Sequence, residues 1–299
     1  MMQGIYLLRG ISRQAHMQSL QRSLNELDKS LLYINMIEDV RLEHPGMGIR
    51  CMYDMIQPDG IGRDAFICLG LESGYRLKYA VKYTRTTYST KSNKYFNLLT
   101  NKIFSGINQV WSSDITYYHF EGHFYYIALS MDVYSRHILG YSIANNMRAE
   151  NNITALKMAL KTRGIDNYHN RLIHHSDRGT QYASDAYTDE LKARGIKVSM
   201  CREVYENTHI ERLNDTIKNQ YLNRWVISGI KELHKKLSQT IYSYNNTRPH
   251  SSLKKISPIQ FEKMLENKPI AKRETMKIYT DQKHDERQKI MHLTPNQTL

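Results

Sequence analysis

Apolar residues recur along this chain in two periods, and the change of period divides it. Up to about residue 45 the period is helical. Leu20, Leu24, Leu27 and Leu31 fall at alternating spacings of four and three, a single stripe along a helix. These are also coiled-coil a/d spacings, but the repeat is short, so the stripe is expected to pack inside a small helical domain. Pro45-Gly46 punctuates the chain, after which Ile49, Met52, Tyr53 and Ile56 share a helical face. Asp59-Gly60-Ile61-Gly62 reads as a turn, and Arg63 to Leu71 as another short helix. Helix, tight turn, helix is the layout of a helix-turn-helix.

From Val110 the period becomes two. Val110, Ser112, Asp114, Thr116 and Tyr118 lie on one face of a strand, with Trp111, Ser113, Ile115 and Tyr117 on the other. Phe124 to Val133 and Ile138 to Ile143 repeat the alternation after short turns, which predicts an antiparallel meander. Ala149 to Thr162 is an amphipathic helix, and Arg171 to His175 a fourth strand running into Asp177. Ser184 caps a helix that Gly195 stops, and Lys197 to Met200 is a brief fifth strand. Helices are expected from about Tyr205 to Trp225, from Lys231 to Tyr244 and from Pro258 to Leu265, the last capped by Ser257. The fold class is α/β, a mixed five-stranded sheet with flanking helices, preceded by a small helical domain.

Charge adds a partner. The 299 residues carry a formal net charge of +13, which favours a polyanion, with nucleic acid ahead of anionic membrane. Residues 76–94 concentrate it: Arg76, Lys78, Lys82, Arg85, Lys91 and Lys94 occur without an acidic residue, interleaved with Tyr79, Tyr83 and Tyr88. Such a stretch suits an arm that tracks phosphates. The chain thus divides into a helical DNA-binding domain (1–75), a basic linker or arm (76–109), a catalytic core (110–266) and a polar tail expected to be mobile (267–299). Three scattered cysteines form no Cys-x-x-Cys pair, which argues against a zinc module and for reduced cytoplasmic thiols. No apolar run reaches the roughly 18 residues of a membrane span, and no P-loop, dinucleotide fingerprint or Ser-His-Asp arrangement appears.

Three carboxylates stand out. Asp114 sits mid-strand among Trp, Ile and Tyr, where an unpartnered carboxylate is costly. Asp177 follows a strand end, the region where ligands bind in open α/β sheets. Glu211 lies on the next helix with Asn207 and Lys218, although Glu203, Glu206 and Asp215 are rivals on the same segment. Hard oxygen ligands on rigid elements suit Mg²⁺ and metal-assisted phosphoryl transfer. His174, His175 and His209 are expected in supporting or structural roles, as is Ser176. Arg178 and Lys218 are candidate phosphate contacts, with Arg63, Arg76, Lys78, Lys82, Arg85, Asn207 and Arg248 as further DNA-binding candidates.

Five stretches occur in a telling order. They are Trp111-Ser112-Ser113-Asp114-Ile115-Thr116-Tyr117, Asp132-Val133-Tyr134-Ser135-Arg136, His175-Ser176-Asp177-Arg178-Gly179-Thr180-Gln181-Tyr182, Ser199-Met200, and Tyr244 to Leu253 with Ser257-Pro258. Together they resemble the DDE transposases of two-reading-frame bacterial insertion sequences, relatives of retroviral integrases. The resemblance is strong over residues 110–261 and looser over residues 44–71. It implies an RNase H-like integrase core with Asp114, Asp177 and Glu211 as a metal-binding catalytic triad. It also implies two Mg²⁺ ions, with Mn²⁺ as substitute, and 3′-OH attack on phosphodiesters. The implied partners are double-stranded DNA (terminal inverted repeats and target), other copies in a homo-multimer, and an upstream-frame DNA-binding protein. One departure stands out: 33 residues separate Asp177 from Glu211 (178–210), slightly fewer than is usual in that family, and Glu206-Asn207 replaces its Asp-Asn pair. The alternatives on the residues alone are a non-catalytic regulator of transposition and a nuclease that cleaves without joining.

Overall fold

The computed structural model describes Gly10 and residues 12–78, 94–120, 122–201 and 204–278. The chain forms two compact units, Met1–Ala80 and Val81–Leu299.

The first unit holds α1 (Arg13–Glu43), α2 (Ile49–Ile56) and α3 (Arg63–Glu72). Ser12 caps α1 by accepting from the Ala15 amide. Its core is Tyr33, Ile37 and Val40 from α1, Met47, Ile49 and Met52 around α2, and Phe66 from α3. The expected apolar face of α2 is therefore packed. The leucine stripe of α1 is not: Leu20, Leu24, Leu27 and Leu31 are 46%, 47%, 56% and 50% exposed. A helix of 31 residues outruns partners of 8 and 10 residues, which cover only its C-terminal part. Spacing identifies an apolar face, but another element must lie against that face to bury it.

In the second unit, β2 (Val110–Phe120), β3 (His123–Asp132), β4 (Ile138–Ala144), β5 (Ile173–Ser176) and β6 (Lys197–Met200) form one sheet in the order β4-β3-β2-β5-β6. The predicted meander is present as antiparallel β2–β3 and β3–β4 pairs. β5 joins β2 in parallel, with Ser113 opposite Ser176, and β6 joins β5 in parallel. One face packs α4 (Ala149–Arg163) and α6 (Asp185–Ala193) around Trp111, Leu139, Leu156, Tyr187 and Leu191. The other packs α7 (Thr208–Asp215) and α8 (Ile230–Asn246) around Leu129, Ile210, Leu213 and Leu237. α4 lies so close to β4 that a Cβ on Gly140 would sit 2.0 Å from the Ala155 carbonyl oxygen.

The helix expected from Tyr205 to Trp225 is interrupted. A 3₁₀ turn (Val204–Asn207) precedes α7, and a π stretch (Thr216–Tyr221) and a second 3₁₀ turn (Leu222–Arg224) follow it. The polar tail was expected from residue 267, yet Met276–Lys277 (β7) pairs with Ile103–Phe104 (β1). Ser184 and Ser257 cap α6 and α9 (Pro258–Glu266) as expected, Ser257 within a capping box. Residues 79–93 and 279–299, and with them most of the basic arm, lie outside the described residues.

Candidate active site

β2 carries Asp114 to the middle of the sheet, and the parallel neighbour β5 ends one residue before Asp177. α7 crosses the same face with Glu211 in its first turn. Asp177 and Glu211 both bear on Asp114. Burial, then the charge of Asp177 and that of Glu211, push the Asp114 carboxyl up to about 8, outweighing the donors that oppose them. Burial also raises Asp177 and Glu211 above the ordinary carboxylate range. Among the described residues, however, no three His, Cys, Asp or Glu side chains converge tightly enough to chelate an ion as they stand.

Each aspartate is held by a neighbour. Asn214 Nδ2 donates to Asp114 Oδ2 at 2.8 Å, and the Gly179 amide donates to Asp177 Oδ1 at 3.0 Å. A Cβ on Gly179 would lie 3.0 Å from that same oxygen, so a larger residue would press on the Asp177 carboxylate. Asn214 escaped the sequence reading; its signal was an amide one helical turn beyond Glu211, on a face that must be buried. Cys201, also unforeseen, is buried, and burial together with Asp177, Glu206 and Asp114 pushes its thiol up to about 12.

The rivals to Glu211 are engaged elsewhere. Glu206 is buried and accepts from Asn97 Nδ2 at 2.8 Å, while exposed Asp215 accepts from Asn219 Nδ2 at 2.7 Å. Glu203 lies outside the described residues. Asn207, expected at a DNA phosphate, is instead buried: Ser112 Oγ donates to its Oδ1, and its Nδ2 lies 3.5 Å from the Ser113 carbonyl. It pins the start of α7 to β2.

The histidines are structural. His174 Nε2 sits 2.9 Å from both Ser113 Oγ and Tyr187 Oη, and burial followed by His175 lowers its pKa to about 3. His175 Nδ1 sits 2.9 Å from Ser199 Oγ, and burial lowers it to about 4. Burial, helped by Arg136 and Arg212, lowers His209 to about 3. All three are neutral at pH 7. Ser176 is buried behind Asp177 and donates to its backbone carbonyl.

The cations divide. Lys218 Nζ stands 3.8 Å from the centre of the Tyr117 ring, on the strand that carries Asp114. The regular spacing assumed between Glu211 and Lys218 does not hold across the π stretch. Arg178 is half-buried beside Asp177 in sequence. Arg248 donates to Gln220 Oε1 at 2.6 Å and faces Tyr221. Arg63, paired with Asp64 at 2.9 Å, belongs to the helical unit, as do exposed Arg76 and Lys78. Lys82 and Arg85 lie outside the described residues.

Two models described as "Integrase core domain" match residues 105–205 and 194–258. A 31 kDa protein of insertion element IS600 from Shigella sonnei is 34% identical over 221 residues, 72% of this chain and 80% of that protein. The transposase of insertion sequence IS904 from Lactococcus lactis is 33% identical, covering 55% of this chain and 66% of that protein. Transposase InsF of IS3A from Escherichia coli is 31% identical, covering 63% and 66%. Among solved structures, the HTLV-2 integrase catalytic core domain in complex with magnesium aligns with a TM-score of 0.43 and 18% identity, over 56% of this chain and 99% of that one.

Proposed function

Because the chain belongs to the insertion-sequence transposases built on an integrase core domain, enzymes of DNA cleavage and strand transfer, we propose that Asp114, Asp177 and Glu211 are its catalytic carboxylates. The observation that carries this assignment is the placement of the three on β2, after β5 and on α7, with the charges of Asp177 and Glu211 both raising Asp114. Hard oxygen donors whose charges raise a buried carboxyl are a donor set that a divalent cation relieves once they close on it. The ions are Mg²⁺, two of them, with Mn²⁺ as substitute. Bound there, they supply Lewis-acid stabilisation of the attacking and leaving oxygens.

The chain's own residues provide position and charge. With no cation bound, Asp114 holds a proton at neutral pH and must release it before both oxygens can act as ligands. Asn214 and the Gly179 amide hold the Asp114 and Asp177 oxygens. Asn207 fixes the start of α7 and hence the reach of Glu211. Lys218 and Arg178 hold the phosphodiester under attack. In the transfer a 3′-OH forms one P–O bond as another breaks, with the leaving oxygen taking up a proton, so bonds are conserved. Arg248 contacts DNA further along. Arg63, Arg76, Lys78, Lys82 and Arg85 bind it from the helical domain (1–75) and the arm (76–109), and 110–266 is the catalytic core.

The protein works as a homo-multimer on terminal inverted repeats and target DNA in the bacterial cytoplasm, with an upstream-frame protein as a DNA-binding partner. No helix among the described residues is long and apolar enough to cross a membrane. A strand-transfer assay with end-sequence oligonucleotides and Mg²⁺ or Mn²⁺ tests the reading. Joined product should vanish in Asp177→Asn and Glu211→Gln and persist in Glu206→Gln and Asp215→Asn. Full joining by Glu211→Gln would remove Glu211 from the triad, and cleavage without joining by the unaltered protein would make it a nuclease.

A further inference from the structure

A second site lies at the other end of the parallel strands. Asp177 follows the C-terminal end of β5, whereas Gln109, Arg171 and Lys197 stand at the N-terminal ends of β2, β5 and β6. There a cavity of about 600 Å³ opens, within the range of small-molecule sites. Among the described residues three cations line it, Lys102, Arg171 and Lys197, and no acidic residue does. Among the described residues none of the three has an ion-pair partner. The remaining lining is mixed: Ile103, Ile107 and Ile165 make an apolar patch beside the amide side chains of Asn108, Asn167 and Asn170. Tyr168 also lines the cavity; it is 5% exposed, and its hydroxyl is buried without a hydrogen-bond partner among the described residues.

The walls are held rigidly. Gln109 Oε1 accepts from the Ser105 and Gly106 amides at 2.8 and 3.2 Å. Trp111 Nε1 donates to Asn108 Oδ1, and the Trp111 ring packs edge-on against Tyr168. The Tyr168 and Asn170 amides donate to the Arg194 and Gly195 carbonyls at 2.8 and 2.7 Å. Burial pushes the Tyr168 phenol up to about 12, so it stays a neutral donor at pH 7.

Three exposed cations lining one cavity without ion-pair partners suit an anion with several acceptor oxygens, and the isoleucine patch with its neighbouring amides suits a ligand with an uncharged, hydrogen-bonding body. We propose that this cavity binds a nucleoside phosphate, with the phosphate at Lys102, Arg171 and Lys197 and the base against the isoleucine wall. The same chemistry is offered by a DNA strand end and by a free nucleotide. The site is separate from the carboxylates and does not depend on their role.

The test uses the full chain and titrates dAMP and inorganic phosphate by calorimetry and thermal shift. dAMP should bind saturably and more tightly than phosphate. Arg171→Gln/Lys197→Gln should weaken dAMP at least about tenfold, since charge-assisted hydrogen bonds are lost. Its melting temperature without ligand should be unchanged, because both side chains are exposed. Asp177→Asn should bind dAMP as the unaltered protein does, which separates this site from the catalytic one. A 5′-phosphorylated oligonucleotide preferred over its 5′-hydroxyl form, with the preference lost in the double variant, assigns the strand end; equal binding assigns the free nucleotide. Unchanged dAMP affinity in the double variant, or phosphate binding as tight as dAMP, would overturn the proposal.

Discussion

Glu262→Gln should cost the catalytic unit about 3 kcal/mol at pH 7, and the cost should fade in acid. Glu262 projects from α9 into a buried ionic knot. Arg163 Nη1 and Nη2 donate to its two oxygens at 2.7 and 2.6 Å, and His137 Nδ1 lies 3.1 Å away. Arg163 also reaches Asp132 Oδ2 at 3.3 Å, and Asp132 is fully buried at the end of β3. Burial alone would raise the Glu262 carboxyl, but the bonds from Arg163 and His137 outweigh it and hold the group at about 2. The ordinary value is 4.5. At about 1.4 kcal/mol per pH unit, that gap is worth about 3 kcal/mol. Because the folded pKa is depressed, this stability is fully present above the ordinary value and is lost as pH falls through it towards 2. Glutamine mimics the protonated acid, so the two proteins should converge there. Both tryptophans, Trp111 and Trp225, lie in this unit, so urea unfolding followed by their fluorescence reports on it selectively. Unfolding free energies measured at pH 7 and pH 3 decide the matter. A difference below about 1 kcal/mol at pH 7, or one that stays constant down to pH 3, would refute the reasoning.

Three further outcomes are expected. Asn214→Ala should lower strand transfer by about 10- to 100-fold, as losses around a metal ligand do, with its far-ultraviolet circular dichroism unchanged; unaltered activity would show that Asp114 needs no such support. Gly140→Ala should destabilise by about 3 kcal/mol or more in urea, because its Cβ meets the α4 backbone at 2.0 Å and neither element can yield cheaply. Leu24→Ala should change the stability of the helical unit by under about 0.5 kcal/mol, whereas Ile37→Ala on the same helix should cost about 2 to 5 kcal/mol; equal costs, read by helical circular dichroism during unfolding, would mean that the stripe is covered.

What the chain determines locally was legible in it. Alternation of period two located β2, β3 and β4, and Ser184 and Ser257 marked helix starts, because a cap or a pleat depends on residues three or four positions away at most. The linked motifs were legible for the same reason, and they singled out Asp114, Asp177 and the stretch holding Glu211 as candidates. The tertiary structure decided what depends on distant partners. It placed Glu211 where its charge raises Asp114, while Glu206 accepts from Asn97 and Asp215 from Asn219. It turned Asn207 inward onto Ser112, 95 residues away in sequence, and set Asn214 against Asp114, 100 residues away. It left the leucine stripe of α1 in solvent, because a helical period records which residues share a face and carries no information about what lies opposite. It also brought Arg171 and Lys197, which share no motif, to one end of the sheet, because β5 and β6 pair in parallel, and set Lys102, just before β1, on the same cavity.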